Sequence, residues 1–450
     1  MIKNHVATQA DTIADLIVIG AGPAGLAAAL SAKEAGCEDV IVLERDNYPG
    51  GILQQCIHNG FGLHYFHEEL TGPEYAARFV KKAESSDLDI RCTTMVIDLS
   101  VDEDGKHLIT TVSPDHGLII FKASAVILAM GCRERPRGAL GIPGSRCAGI
   151  MTTGTAQRLV NREGLVPGHK IVILGSGDIG LIMARRLTYE GAKVIACVEI
   201  MPYSSGLTRN VVQCLQDYDI PLMLNHTVVD IEGRERVTAV IVAAVDPQTK
   251  KPISGTEQKI DCDTLLLSVG LIPENELSRQ AGVVIDNATQ GPEVDQNMST
   301  SIPGIFACGN VLHVHDLVDY VTIESEAAGQ AATEYIRRCF WQQAEETGSA
   351  AQPLLEAAGS ILLRAGSGVR GLVPQYLQRN CSDKYVMLYF RPDKIYRQAH
   401  VKVLSEEKVI IDQKKKIMTP GEMLTIRLPI ESVHKQIDKL EAIKIIIEEE

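Results

Sequence analysis

No Cys-x-x-Cys pair occurs in the 450 residues; the eleven cysteines are scattered, no two closer than fifteen positions. Zinc sites and dithiol redox centres usually carry such a pair, so most of these thiols read as small buried hydrophobes in a reducing compartment. No secretory apolar segment precedes Asp15, and no apolar run approaches the ~18 residues of a membrane span. Positive charge is in deficit, 44 Lys and Arg against 57 Asp and Glu, for a net charge of −13. That balance argues against a nucleic acid partner, whose phosphates bind through many Lys and Arg contacts. The expectation is a cytoplasmic protein with no membrane span. At roughly 150 residues per domain the length suggests about three domains.

One unit occurs twice. Residues 16–25 read LIVIGAGPAG and lead through an Ala-rich segment to VIVLE, ending at Glu44; residues 171–180 read IVILGSGDIG and lead to VIACVE, ending at Glu199. Each copy reads as buried strand, glycine turn, helix, strand. The spacing predicts strands over Leu16–Ile19 and Val40–Leu43 with a helix over Leu26–Ala35. β-rich segments follow each copy, closing at Gly131 in the first and Gly270 in the second. A third block, SIPGIFACGN at 301–310, predicts a strand over Ile305–Cys308 and a helix over Ile323–Arg338. A polar linker is expected from Ala344, then a small all-β domain whose last segment, EAIKIIIEEE, reads as the charged end of a strand or helix.

The chemistry lies in the glycines. In GAGPAG, Gly20 permits the tight turn, Gly22 lets backbone N–H groups approach a pyrophosphate, and Gly25 lets the helix pack on the strand. The pyrophosphate then meets the positive end of a helix dipole. Glu44 falls nineteen residues after Gly25, where a carboxylate accepts ribose hydroxyls. Gly175, Gly177, Gly180 and Glu199 repeat the arrangement. A 2′-phosphate beside Glu199 would meet like-charge repulsion, which favours NAD over NADP, although Arg209 is near enough in sequence to receive a phosphate. Two dinucleotide sites in one chain suggest a held flavin and a diffusible nicotinamide, because hydride passes directly between them.

Together, GAGPAG with Glu44, Gly50-Gly51, AVILAMG at 125–131, GSGDIG with Glu199, and SIPGIFACGN resemble the two-dinucleotide flavoproteins related to pyridine nucleotide-disulfide oxidoreductases. The segment GCRERPRGALGIPG at 131–144 is similar to the disulfide-lacking branch: the NAD/FAD subunits of opine oxidase, hydrogen cyanide synthase and dye-linked proline dehydrogenase. GGILQQCIHNGFGLHYF and GNVLHVHDLVDYV resemble oxidoreductases associated with a glycerol-3-phosphate dehydrogenase-like flavoprotein. The resemblance implies an α/β fold with two Rossmann-like domains, an FAD domain (14–144 and 275–340) interrupted by an NAD domain (145–274), plus a C-terminal β-rich domain (345–450) that could dock a partner. It places Gly20, Gly22, Pro23, Ala24, Gly25, Glu44, Arg45, Gly50, Gly51, Val96, Ala129, Gly131, Gly309 and Asn310 around FAD. Gly175, Gly177, Asp178, Ile179, Gly180, Glu199 and Gly270 would hold NAD. The family's acidic residue at the end of the third motif is Asn310 here, and an aromatic gate is replaced by Asp178. At the two places where the family carries its redox disulfide, only Cys56 and Cys147 occur. The implied enzyme is an FAD-dependent NAD(H) oxidoreductase passing electrons to or from a partner dehydrogenase subunit.

Two other readings stand beside it: a self-contained NADH oxidase or peroxidase using Cys56, and a flavin-binding scaffold or redox sensor that does not turn over. Cys56 and His58 are the catalytic candidates, His58 ahead of His64 and His67 because it is nearest the glycine pair. Inert roles compete for each. Arg133 and Arg135 could touch flavin or pair with Glu134. His313 and His315 are two apart, so a helix would splay them, and no metal is expected.

Overall fold

The computed structural model describes residues 12–344, 359–406, 408–434 and 440–450. The linker expected from Ala344 falls largely on residues 345–358, which lie outside them. The chain forms two compact units, one of residues up to Cys132 together with Pro273 onward, the other Arg133–Ile272. Among the described residues no helix is long and apolar enough to cross a membrane.

In the first unit, five parallel segments lie side by side in the order Asp89–Arg91, Val40–Leu43, Thr12–Ile19, Ala125–Leu128, Ile305–Ala307. Leu16–Ile19, Val40–Leu43 and Ala125–Leu128 are buried throughout, as continuous apolar runs with helices on both faces should be. The strand Gly117–Leu128 also turns antiparallel to His107–Ser113, extending the sheet into a meander that reaches Met95–Val101. Helix Pro23–Glu34 follows the first strand. The predicted Leu26 start is three residues late because Pro23 occupies the first helical turn, where a missing N–H costs nothing. Helix Val318–Ala344 starts five residues before the predicted Ile323. It presses close enough to Pro23–Glu34 that a Cβ on Gly329 would come within 2.2 Å of the Ala28 carbonyl oxygen.

The second unit repeats the plan, with parallel strands ordered Ile150–Thr152, Thr264–Leu267, Lys170–Leu174, Lys193–Glu199, Leu222–Leu224 and a separate three-stranded meander from His226 to Asp261. In both units the strand order reverses beside the glycine-motif strand, and ligands of open α/β sheets bind at that switch point. The C-terminal part of the first unit is β-rich, a five-stranded and a three-stranded sheet around a core that includes Leu388, Val401, Val403 and Ile445. The segment at 441–450 is a strand, Ala442–Glu449, in the middle of the larger sheet.

One core residue makes the fold acid-sensitive. His107 is fully buried, and burial pushes its pKa down to about 4. A histidine depressed below its unfolded value of about 6.5 stabilises the fold fully above that pH, and the stabilisation is lost as pH falls towards 4. His107→Leu removes this dependence. Between pH 7 and pH 4, denaturant midpoints should show wild type losing about 3 kcal/mol relative to the variant; a constant difference would refute the assignment.

Candidate functional site

Each glycine motif is a turn from strand to helix, and the three glycines do not serve the same purpose. Gly20 and Gly175 have φ of +105° and +97°, and a Cβ on them would lie 2.5 Å from the Ala129 carbonyl oxygen and 2.0 Å from that of Ser268. A Cβ on Gly25 would stand 1.7 Å from the Gly20 carbonyl oxygen, and one on Gly180 would stand 2.8 Å from Ser268 Oγ. Backbone packing forbids side chains at Gly20, Gly25 and Gly175, and at Gly180 Ser268 would have to shift. The middle glycines differ. Gly22 has ordinary extended backbone (φ −72°), and a Cβ there meets nothing nearer than Gly51 Cα at 4.0 Å; for Gly177 the nearest atom is Ser268 Oγ at 3.6 Å. The protein itself does not need these two to be glycine.

Both middle glycines are helix N-caps with no side-chain hydrogen bond to the first turn. The opening N–H groups of Pro23–Glu34 and Asp178–Tyr189 are thus left to solvent or to an anion, with the dipole favouring the anion. Space for backbone approach, amides without a cap and a switch point form a cradle that fits a dinucleotide pyrophosphate in both units.

Glu44 and Glu199 are used alike. Glu44 Oε2 accepts the Ala21 N–H at 2.7 Å and Oε1 the Asp46 N–H at 2.8 Å. Glu199 Oε2 accepts the Ser176 N–H at 2.9 Å and hydroxyl at 2.5 Å, and Oε1 the Met201 N–H at 2.9 Å. Each carboxylate clasps the second residue of its own glycine turn. Carboxylate oxygens offer about four acceptor sites, so both retain capacity for ribose hydroxyls. Asp178 is also engaged: its Oδ1 accepts from Leu207 N–H at 2.8 Å and from the Asn210 amide at 2.6 Å. It anchors the loop and helix that carry Arg209, a use the sequence does not suggest. Ile179 is on the first turn of helix Asp178–Tyr189, and Gly270, just before strand Leu271–Pro273, has φ +100° with room for a Cβ.

Around the first cleft, Gly50 and Gly51 have positive φ, and a Cβ on Gly51 would come 2.8 Å from Gly22 Cα, so bare backbone faces bare backbone. Arg45 ion-pairs with Glu274 at 3.7 Å and is largely exposed. Val96 and Ala129 are buried in the core of the sheet, so only their backbone is available to a ligand. Gly131 has φ +73°, and a Cβ there would meet nothing within 4 Å. Gly309, also at positive φ, packs against Ala24, and Asn310 reaches two ways, its amide to Cys132 Sγ at 3.6 Å and its carbonyl oxygen accepting the His315 N–H at 3.0 Å.

The catalytic candidates are less favoured. The Cys56 thiol donates to the Ile52 carbonyl at 3.3 Å, and burial of the sulfur pushes its pKa up to about 12, although the residue as a whole is only half-buried. A thiol held protonated is a poor nucleophile. His58 Nδ1 lies 2.9 Å from the Asn59 carbonyl, with the ring against Phe61. The backbone N–H groups of Gly62, His64 and Tyr65 converge on the buried Asp319 carboxylate at 2.8–3.1 Å, tying this loop to the start of helix Val318–Ala344. Glu134 Oε2 accepts the Gly154 N–H at 2.5 Å, at the start of helix Thr153–Glu163.

The expectation that His313 and His315 diverge is corrected. They lie on irregular backbone before the helix, and both rings turn to Glu324, with Nε2 2.7 Å and 3.2 Å from its carboxylate oxygens. The signal in the sequence is a glutamate on the buried face of a helix, which demands a partner.

Two dinucleotide cradles at the switch points of two Rossmann-like units define a dinucleotide-dependent oxidoreductase. The family model for pyridine nucleotide-disulphide oxidoreductases matches residues 14–333, and the chain belongs to that family, whose cofactors are FAD and a pyridine nucleotide. It is 26 % identical over 334 residues to an opine oxidase subunit from Agrobacterium tumefaciens (strain Ach5), covering 68 % of this chain but only 62 % of that relative's length. Thioredoxin reductase of Listeria monocytogenes is 27 % identical over 335 residues, 72 % of this chain and 95 % of the relative. The crystal structure of T. acidophilum thioredoxin reductase superposes with a TM-score of 0.58 at 24 % identity, covering 73 % of this chain and all of that one, which shows the shared fold.

Proposed function

We propose that this oxidoreductase exchanges electrons between NAD(H) and a partner subunit of a dehydrogenase complex, of the glycerol-3-phosphate or amino-acid type, without a disulfide of its own. The observation that carries this reading is the pair of open middle glycines, Gly22 and Gly177, in two cradles of one design. When bound, flavin and nicotinamide exchange a hydride. The chain's residues supply the rest: uncapped helix amides hold the pyrophosphates, Glu44 and Glu199 orient the turns and take ribose hydroxyls, and Gly51, Gly131 and Asn310 leave backbone and one amide for the flavin. All eleven cysteines are free thiols. Electrons therefore need an external acceptor or donor, and the likeness to one subunit of opine oxidase supports a protein in that role. The C-terminal β-rich region is the proposed docking surface. Anaerobic mixing of NADH with the purified holoprotein should bleach the flavin spectrum, and an unbleached spectrum sinks the reading.

The thioredoxin reductase relatives favour a second reading, reduction of an external disulfide through a thiol of this chain. Cys56 separates the two, as it does the oxidase or peroxidase alternative. Cys56→Ser should leave NADH-driven dye reduction within about twofold of wild type, since its burial keeps the thiolate unpopulated at neutral pH. Steady-state turnover with an artificial acceptor measures this, and loss of activity would establish a thiol mechanism.

A further inference from the structure

Among the described residues, His313, His315 and Glu324 form a group whose ligand atoms all lie within 4.8 Å of one another. All three are buried. His313 Nε2 stands 2.7 Å from Glu324 Oε2 and His315 Nε2 3.2 Å from Oε1, and the imidazole rings are 4.1 Å apart. The carboxylate is pre-oriented by the Gly309 N–H, which donates to Oε1 at 2.7 Å, and the backbone of His315 is held by Asn310. Tyr389, from the β-rich region, covers both rings at 5.5 Å and 5.9 Å between centroids.

His315 Nδ1 is enclosed and has no hydrogen-bond partner. In a metal-binding histidine the bond made by the second ring nitrogen selects the tautomer. Here only the Glu324 contact at Nε2 sets it, so a cation that displaces the Nε2 proton meets a nitrogen already aimed at the carboxylate. A buried carboxylate is costly unless a positive charge offsets it.

We propose that His313, His315 and Glu324 bind one divalent transition cation of the Zn²⁺ class. Two imidazole nitrogens and a carboxylate oxygen are ligands suited to such ions, which bind at roughly 2.0–2.2 Å. Seating one at tetrahedral angles would widen the 2.7 Å His313–Glu324 pair by roughly half an ångström and leave the 3.2 Å His315–Glu324 pair nearly as it is. The cation would join the Gly309–Asn310 turn to helix Val318–Ala344 beside Tyr389, a staple independent of the hydride chemistry.

The test uses the full-length holoprotein, stripped with a chelator and titrated with Co²⁺ as a coloured probe for the Zn²⁺ site. The expected result is one Co²⁺ per chain with visible ligand-field absorption, displaced by Zn²⁺. His313→Ala and His315→Ala should each weaken binding by more than the roughly 10–100-fold typical of losing an outer partner. Circular dichroism reports whether each variant is folded. Glu324→Gln, which keeps shape and hydrogen bonding, should weaken binding where the alanine variants do not fold. His400→Ala, at the exposed His400–Asp412–Glu450 group, should change nothing. Absence of stoichiometric Co²⁺ uptake by wild type, or uptake abolished by His400→Ala and untouched by the cluster variants, would overturn the proposal.

Discussion

Gly22→Ala should yield a folded protein purified without flavin. The added methyl group has ordinary backbone angles and no protein atom nearer than 4.0 Å, so the apoprotein keeps its stability or gains slightly from a stiffer unfolded chain. On the proposed function, what it meets is a pyrophosphate drawn against the helix amides. Losing two N–H bonds to an anion, at about 1.5–3 kcal/mol each, removes roughly 3–6 kcal/mol, or about 10²–10⁴ in affinity. Gly25→Ala is the contrast: its methyl group would sit 1.7 Å from the Gly20 carbonyl oxygen, so soluble yield should collapse with or without added FAD. Circular dichroism and flavin absorbance on the two variants decide the matter. A Gly22→Ala protein with a full complement of flavin would mean the first cleft does not hold a pyrophosphate.

Gly177→Ala should separate the two cofactors. The same reasoning gives a folded protein, since the nearest protein atom to the new methyl group is Ser268 Oγ at 3.6 Å. Flavin content should be unchanged, because Gly177 belongs to the other unit. Flavin reduction by NADH in an anaerobic stopped-flow should then require about 10²–10⁴ more NADH for half-maximal rate, while reduction by dithionite stays normal. Equal NADH dependence in variant and wild type would remove the nicotinamide assignment from the second cleft and leave the duplication without a functional explanation.

The glycine motifs, the two glutamates and the strand Val40–Leu43 are legible in the sequence because each obeys a local rule: positive φ, close approach, or a short run of apolar residues between breakers. Arrangements closed over long sequence separations are not. Nothing local ties Asp319 to Gly62, His64 and Tyr65, about 255 residues away, and Asp178 gives no sign of its grip on Leu207 and Asn210. The two histidines are misplaced by a helical template laid on irregular chain. Once the helix begins at Val318 instead of Ile323, Glu324 falls within its second turn, and the residues before it are free to face it. Cys56 is legible as a position but not as a reactivity, since only its enclosed surroundings show why the thiol keeps its proton.

The grip of Glu199 on Ser176 and Met201 bears on any attempt to redesign the cofactor preference of this enzyme. The usual route to NADP use replaces the acidic residue at the strand end with a small or basic one. Here that exchange would strip the glycine turn of the acceptor for two N–H groups and a hydroxyl, so the loop meant to hold the new cofactor would lose its shape along with its charge. A re-engineered pocket would do better to keep the acid and recruit positive charge from helix Thr208–Cys214, which bears Arg209 and which Asp178 already anchors.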